Sequence, residues 1–238
     1  MNVLLPCLLY LSNCDLEIVS RRGWEAKPPK LVEPMPNPVP YVIIHHSYIP
    51  AACYTKHECI SAMQSMQAFH QDDRGWNDIG YSFGVGSDGN AYEGRGWSAV
   101  GAHAPKYNNQ SIGICVIGDW RDDLPPPEQL KTVKKLIQCG VENGYIRSDY
   151  ILMGHRQVRD TECPGDALYK EIQTWPHYSP TPNQSIIEDH NILTSDFKHV
   201  SSFWHINERF VFDTKMSSKL YLCLFIVIIN NIFGYITD

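Results

Sequence analysis

The chain has 238 residues, of which 43% are hydrophobic and 19% are charged, and its formal net charge is −6. This length suits one domain of ordinary size with some additional sequence, and this composition excludes a wholly disordered chain. The acidic balance argues against a nucleic-acid-binding protein, which would present a basic surface.

The first 40 residues show no periodic pattern. MNVLLPCLLYLSNC has the short apolar run of a secretion signal but no basic residues before it, so a cleaved signal and a retained extension are both open. Residues 17–40 are rich in proline, which fixes φ and lacks an amide donor, and we expect irregular, extended chain there. We therefore expect residues 1–18 to be a signal or extension and a domain to occupy residues 19–178.

Strand and helix patterns begin at residue 41. YVIIHH (41–46) is a β-branched run typical of a buried strand. Residues 55–70 carry apolar side chains at helical spacing, with Thr55 as a candidate N-cap. Residues 81–86 and 90–93 flank Ser-Asp-Gly-Asn, which predicts a hairpin.

Predicted strands and helices continue to alternate irregularly from residue 111 onward. We expect a strand at 111–118, a helix at 126–143 with Pro126 in its first turn, a strand at 150–155 and a helix at 166–175. Strands and helices do not strictly alternate. The pattern therefore predicts an α/β fold with a single mixed central β-sheet and helices packed on both faces.

The sequence changes character after Pro176, and residues 179–238 form a divergent tail. Residues 220–236 are apolar but are interrupted by Asn230 and Asn231. A transmembrane helix needs about 20 apolar residues, so this segment is marginal. Membrane anchoring by it is one interpretation; we favour a tail that is not an anchor.

The eight cysteines are scattered and form no CxxC pair, which argues against a dense disulfide framework. Cys53 and Cys59 lie close together where the first helix begins. In a secreted protein we expect them to form a disulfide, whereas in a cytosolic protein they would be reduced thiols.

Histidines stand at the ends of two predicted strands. His45 and His46 close the first, and His155 follows YILMG, with Cys163 in the loop beyond. Because side chains alternate along a strand, only one of His45 and His46 can face a given side. Two histidines and one cysteine are a set that binds zinc and leaves a fourth position open for catalysis. Spacing alone also allows a Cys163–His155 thiol hydrolase, or buried residues with no shared role.

Several rare strings in fixed order, between about Val19 and Pro176, resemble the peptidoglycan recognition proteins, a family similar to phage amidase lysozymes. These strings are VSRRGWEAKPP, VIIHHS, the Cys53/Cys59 pair, GWNDIGYSFGVGSDGNAYEGRGW, GAHA, YNNQSIGI and GHRQVRDTECPGDALY. Some members of this family are zinc amidases, and others are non-catalytic receptors.

The resemblance implies that His45, His155 and Cys163 bind Zn²⁺ and that Tyr81 and Thr161 are catalytic groups. Receptor members typically replace the cysteine, whereas this chain keeps it. The implied activity is therefore that of an N-acetylmuramoyl-L-alanine amidase, which hydrolyses the amide between N-acetylmuramic acid and L-alanine in bacterial peptidoglycan. The Tyr81 hydroxyl would donate to the oxyanion that forms. The alternative for Tyr81 is a structural role, as a buried tyrosine whose hydroxyl is hydrogen-bonded within the protein.

The same resemblance implies a substrate groove. Its expected residues are His70, Gly75, Trp76, Arg95, His103 and Asn108. Gly75 and Trp76, together with Arg95, imply preference for meso-diaminopimelate, whose extra carboxylate would pair bidentately with Arg95. The alternatives are a solvated surface charge for Arg95 and a core aromatic for Trp76.

The biological role implied is that of a secreted enzyme that scavenges immunostimulatory peptidoglycan fragments in innate immunity. The alternative function is a peptidoglycan-binding sensor without catalysis, and the alternative locations are the cytoplasm or a membrane.

Overall fold

The computed structural model describes residues 14–181. The predicted signal run up to residue 13 and the apolar segment 220–236 lie outside the described residues. Within residues 14–181, no helix combines the length and the apolar character needed to cross a membrane.

Six strands form one mixed sheet in the order β1-β4-β3-β5-β2-β6. They are β1 (Ile18–Val19), β2 (Val39–His46), β3 (Phe83–Val85), β4 (Ala91–Glu93), β5 (Ser111–Val116) and β6 (Ile146–Gly154). Strands β3, β5, β2 and β6 are parallel neighbours, and β4 is antiparallel to β3. The carboxyl ends of these four parallel strands therefore meet at one edge of the sheet.

Helices cover both faces of this sheet, which confirms the predicted fold class. They are α1 (Lys56–Ala68), α2 (Pro127–Glu142) and α3 (Asp166–Ile172). On one face, Leu136 of α2 and Leu168 of α3 share a core with Ile44 of β2. On the other face, Met63 of α1 packs in a second core with Cys115 of β5.

The proline-rich segment is more ordered than we expected. Within residues 17–40, β1 pairs in parallel with β4 and is followed by a 3₁₀ turn, Arg21–Trp24. The indole of Trp24 is fully buried and donates to the carbonyl of Glu93 over 2.8 Å. This long-range partner explains the error, because neither the pairing nor the burial follows from local composition.

Two disulfides link the described residues. One is the predicted Cys53–Cys59 bond. The other joins Cys14 to Cys139 across 125 positions in the sequence, a pairing that no local pattern indicates. The second bond, together with the packing of Leu16 against the core, ties residues before 19 to the body of the domain.

Helix α1 begins with the predicted cap. The Thr55 hydroxyl accepts from the amide of Glu58, and the Glu58 carboxylate accepts from the amide of Thr55. Thr55→Ala removes one half of this capping box, and we expect it to lower the free energy of unfolding by about 1 kcal/mol. Thr55→Ser keeps the hydroxyl and is the matched control. Equal urea midpoints for the alanine and serine variants would show that the cap contributes nothing.

Candidate active site

Three potential metal ligands converge at the carboxyl edge of the sheet. The nearest ligand atoms of His45, His155 and Cys163 all lie within 4.8 Å of one another. The pairing of β2 with β6 explains the two histidines, because Ile44 is opposite Gly154 and each of these residues is followed in the chain by a histidine. Their ring centroids are 4.2 Å apart.

Cys163 reaches the same point from the loop before α3. Its carbonyl accepts from the amide of Arg156, and its amide donates to the hydroxyl of Thr161. Its Sγ lies 3.8 Å from Nδ1 of His45 and accepts from the amide of His46 over 3.4 Å. The loop is thus fixed by main-chain contacts that aim the sulfur at the two imidazoles.

The donor set fits a zinc ion. Zinc takes imidazole nitrogen and thiolate sulfur, and three protein ligands leave one position for water or substrate. Nε2 of His155 is buried and has no hydrogen-bond partner among the described residues. A cation held by the three side chains would give His155 the polar partner that the protein itself does not provide.

The protonation states suit this fit. Burial and the neighbouring histidines hold the pKa of His45 well below its usual value, and burial and Arg159 lower the pKa of His155 to about 4. Both rings are therefore neutral at pH 7, which is the form that binds metal. Burial raises the pKa of the Cys163 thiol to about 12, so metal binding would release its proton.

Tyr81 and Thr161 flank the cluster. The Tyr81 ring lies 5.2 Å from the His45 ring. Burial, Cys115 and Cys163 raise the pKa of Tyr81 well above 10, so the phenol keeps its proton. Thr161 lines the same cavities as Tyr81 and fixes the amide of Cys163.

Residues of the cluster line two cavities, which together are called the groove. The cavities, of about 820 Å³ and about 530 Å³, both include Tyr81, His155 and Thr161 in their walls. A larger cavity of about 1100 Å³ runs along α2 and contains none of the cluster residues. The chemistry is therefore placed in the first two cavities, which together could hold an extended ligand.

Three of the predicted substrate residues, His70, Trp76 and His103, line the 820 Å³ cavity. The rings of His70 and Trp76 are stacked, with centroids 4.7 Å apart. Nδ1 of His70 accepts from the amide of Gly80. Gly75 has φ of +70°, and a Cβ added there would meet no atom within 4 Å.

The structure does not place Arg95 and Asn108 in this wall. The Arg95 guanidinium donates to the carbonyls of Ile79 and Val100, and the Asn108 side-chain oxygen accepts from the amides of His103 and Ala104. Both side chains thus brace the backbone behind the groove.

Other residues line the groove without having been predicted. They are Phe69, Arg74, Arg159 and Asp160 in one cavity, and Tyr48 and Arg121 in the other. For Arg74, the position next to Gly75 was the only sequence feature that could have predicted it. The other five residues carry no local pattern that indicates a place in the groove.

Comparison with known proteins agrees with this geometry. Residues 35–166, more than half of the chain, match the family model of N-acetylmuramoyl-L-alanine amidase. The chain is 59% identical over 162 residues to peptidoglycan-recognition protein LB of Drosophila melanogaster, covering 68% of this chain and 70% of that protein. It is 46% identical over 167 residues to human N-acetylmuramoyl-L-alanine amidase, covering 68% of this chain but only 28% of the human protein.

Solved structures give the same result. Wild-type Drosophila PGRP-LB superposes with a TM-score of 0.69 at 56% identity, covering 71% of this chain and 99% of that one. Peptidoglycan recognition protein-LE in complex with tracheal cytotoxin, a monomeric diaminopimelic acid-type peptidoglycan, superposes with a TM-score of 0.67 at 45% identity, covering 68% of this chain and 95% of that one. This chain therefore belongs to the N-acetylmuramoyl-L-alanine amidase family and is a peptidoglycan recognition protein.

Proposed function

We propose that this protein is a zinc-dependent enzyme that hydrolyses the amide between N-acetylmuramic acid and L-alanine. The observation that carries the proposal is the convergence of His45, His155 and Cys163 in the groove. A receptor that only binds peptidoglycan has no use for a complete set of three ligands.

The cluster residues would hold the metal, and the surrounding residues would serve the reaction. Zinc, when bound, supplies a Lewis acid and lowers the pKa of its water. The protonated Tyr81 hydroxyl is placed to donate to the oxyanion of the tetrahedral intermediate, where one donor contributes about 2.7–4 kcal/mol. Thr161 holds the Cys163 loop and faces the groove, where its hydroxyl can orient substrate.

The pKa shifts count against a thiol hydrolase. A cysteine nucleophile needs its thiolate, which a neighbouring imidazolium normally stabilises. Here burial raises the pKa of Cys163 to about 12 and lowers the pKa of His155 to about 4, so both groups stay neutral. The sulfur is thus suited to bind a metal and unsuited to attack an amide by itself.

The substrate we propose is a diaminopimelate-type muropeptide, with its stem peptide in the 820 Å³ cavity. The binding of tracheal cytotoxin by the related protein LE supports this choice, as does the open space at Gly75 beside Trp76. Cleavage would convert an immunostimulatory fragment into products that lack the intact muropeptide, which is a scavenging role.

Product analysis tests the reaction. Purified protein with zinc is incubated with a diaminopimelate-type muropeptide, and mass spectrometry identifies the products. We expect a free stem peptide that begins with L-alanine, and an intact sugar part. Saturable binding with no cleavage would instead identify the protein as a sensor.

A substitution at Arg95 tests whether this residue causes the preference for diaminopimelate stems over lysine stems. If two N–H groups of its guanidinium reach the extra carboxylate, Arg95→Lys lowers the ratio of kcat/KM for diaminopimelate stems over lysine stems by about 10-fold or more, since charge-assisted hydrogen bonds contribute about 1.5–3 kcal/mol. If Arg95 only braces the carbonyls of Ile79 and Val100, the melting temperature falls and the ratio is unchanged.

The location that fits this function is extracellular. The two disulfides support it, because such bonds persist in oxidising compartments. Expression of the full chain in a eukaryotic secretory host, followed by N-terminal sequencing of protein in the medium, tests both secretion and cleavage. Retention of all the protein inside the cells would contradict this location.

A further inference from the structure

His103 lines the 820 Å³ cavity, but it also lies directly against one of the three candidate metal ligands, His45. Its side chain is buried, and its Nδ1 lies 3.0 Å from Nε2 of His45. A Cβ added at Gly113 or at Gly101 would come within 2.5 Å of its ring, so these two glycines form a slot that the imidazole fills. The amides of His103 and Ala104 are fixed by Asn108. The ring is therefore held in one place from several sides.

A chain of hydrogen bonds sets the direction of each donor. The carbonyl of Tyr107 can only accept, so the Ser111 hydroxyl donates to it over 2.6 Å. The Ser111 oxygen is then free to accept from Nε2 of His103, at 3.5 Å. Nδ1 of a neutral His103 is left as an acceptor. In this arrangement His45 donates from Nε2, which leaves the lone pair of its Nδ1 on the side of Cys163.

We propose that His103 is a positioning residue that selects the metal-binding tautomer of His45 and fixes the orientation of its ring. This inference rests on the proposed zinc site. Groups that hold the outer nitrogen of a ligating histidine typically change metal affinity by about 10- to 100-fold. His103 would thus act on the metal site through His45, without being a metal ligand itself.

The test compares three variants with the full-length wild-type protein. His103→Leu fills the slot without an acceptor, whereas His103→Asn places an amide oxygen near the position of Nδ1. His70→Leu is the control, because His70 is also a buried groove histidine but contacts Trp76 and Gly80 instead of the cluster. The Zn²⁺ dissociation constant is measured by competition with a chelator, and the visible spectrum of the Co²⁺-loaded protein reports ligand geometry.

We expect His103→Leu to weaken Zn²⁺ binding by about 10- to 100-fold and to alter the Co²⁺ spectrum. We expect His103→Asn and His70→Leu to stay within about 3-fold of the wild type, a difference below about 0.7 kcal/mol. Melting temperatures of the metal-free proteins identify any variant that has merely lost its fold. Equal affinity of folded His103→Leu and wild type would overturn this inference alone. A wild type that binds no Zn²⁺ would overturn the proposed function and this inference with it.

Discussion

Replacing Cys163 with alanine is expected to abolish hydrolysis and to leave muropeptide binding nearly unchanged. The substitution removes one of three ligands in the groove but leaves the stacked wall of His70 and Trp76 in place. Loss of the metal forfeits several kcal/mol of transition-state stabilisation, which corresponds to a decrease in kcat/KM of at least about 1000-fold. Stem-peptide release and equilibrium binding are measured on the same preparation.

Cys163→Ser is the matched variant for this experiment. Serine keeps an acceptor for the amide of His46 and fits the same space, so its fold should be preserved. A hydroxyl is a much poorer zinc ligand than a thiolate, and we expect this variant to be as inactive as the alanine variant. Wild-type activity in either variant, with no metal bound, would show that the cluster is not the catalytic centre.

Tyr81→Phe is expected to lower kcat by about 100- to 1000-fold, as the loss of one oxyanion donor does elsewhere. The substitution deletes only the hydroxyl, because the ring still packs beside His45 and His70. Zinc content and KM should therefore stay close to those of the wild type. Steady-state kinetics with metal analysis separate these quantities. A kcat within about 3-fold of the wild type would show that the hydroxyl takes no part in the reaction.

Much of the fold follows from local pattern. The run YVIIHH predicted β2, and the apolar spacing of residues 126–143 predicted α2, which extends over Pro127–Glu142. Strand β6 was predicted only in its second half, because Arg147, Ser148 and Asp149 near its start are polar and at least partly exposed. Its pairing with β2 is also irregular there, with a register shift between Val39 and Tyr41.

Element ends were less predictable. The first helix was expected to reach His70, but α1 ends at Ala68 and continues as a π-helical turn, Phe69–Asp73. The last helix was expected to reach Trp175 but ends at Ile172. The expected hairpin strands shorten to β3 and β4, which leaves Tyr81 in the loop before β3. Helix ends are set by tertiary contacts that a local pattern does not contain.

The residues of the candidate site were predictable from the sequence, but the contacts between them were not. Strand ends placed His45 and His155 at one edge, but only the sheet order shows that their strands are neighbours. Cys163 was a candidate ligand from its place in the loop after His155, but spacing alone left other roles open, and only the resemblance to a family assigned it to the metal. The support that His103 gives to His45 joins residues 58 positions apart and depends on a slot beside Gly101 and Gly113, which no local pattern predicts.

Titration of metal-free protein with Zn²⁺ tests the central claim most directly. Amidase activity on a diaminopimelate-type muropeptide is measured at each addition, in parallel for the wild type and Cys163→Ala. If His45, His155 and Cys163 form one catalytic zinc site, wild-type activity rises in proportion to added zinc and stops rising at one equivalent per chain, while the variant stays inactive. Full activity of the wild type before any zinc is added would contradict the account.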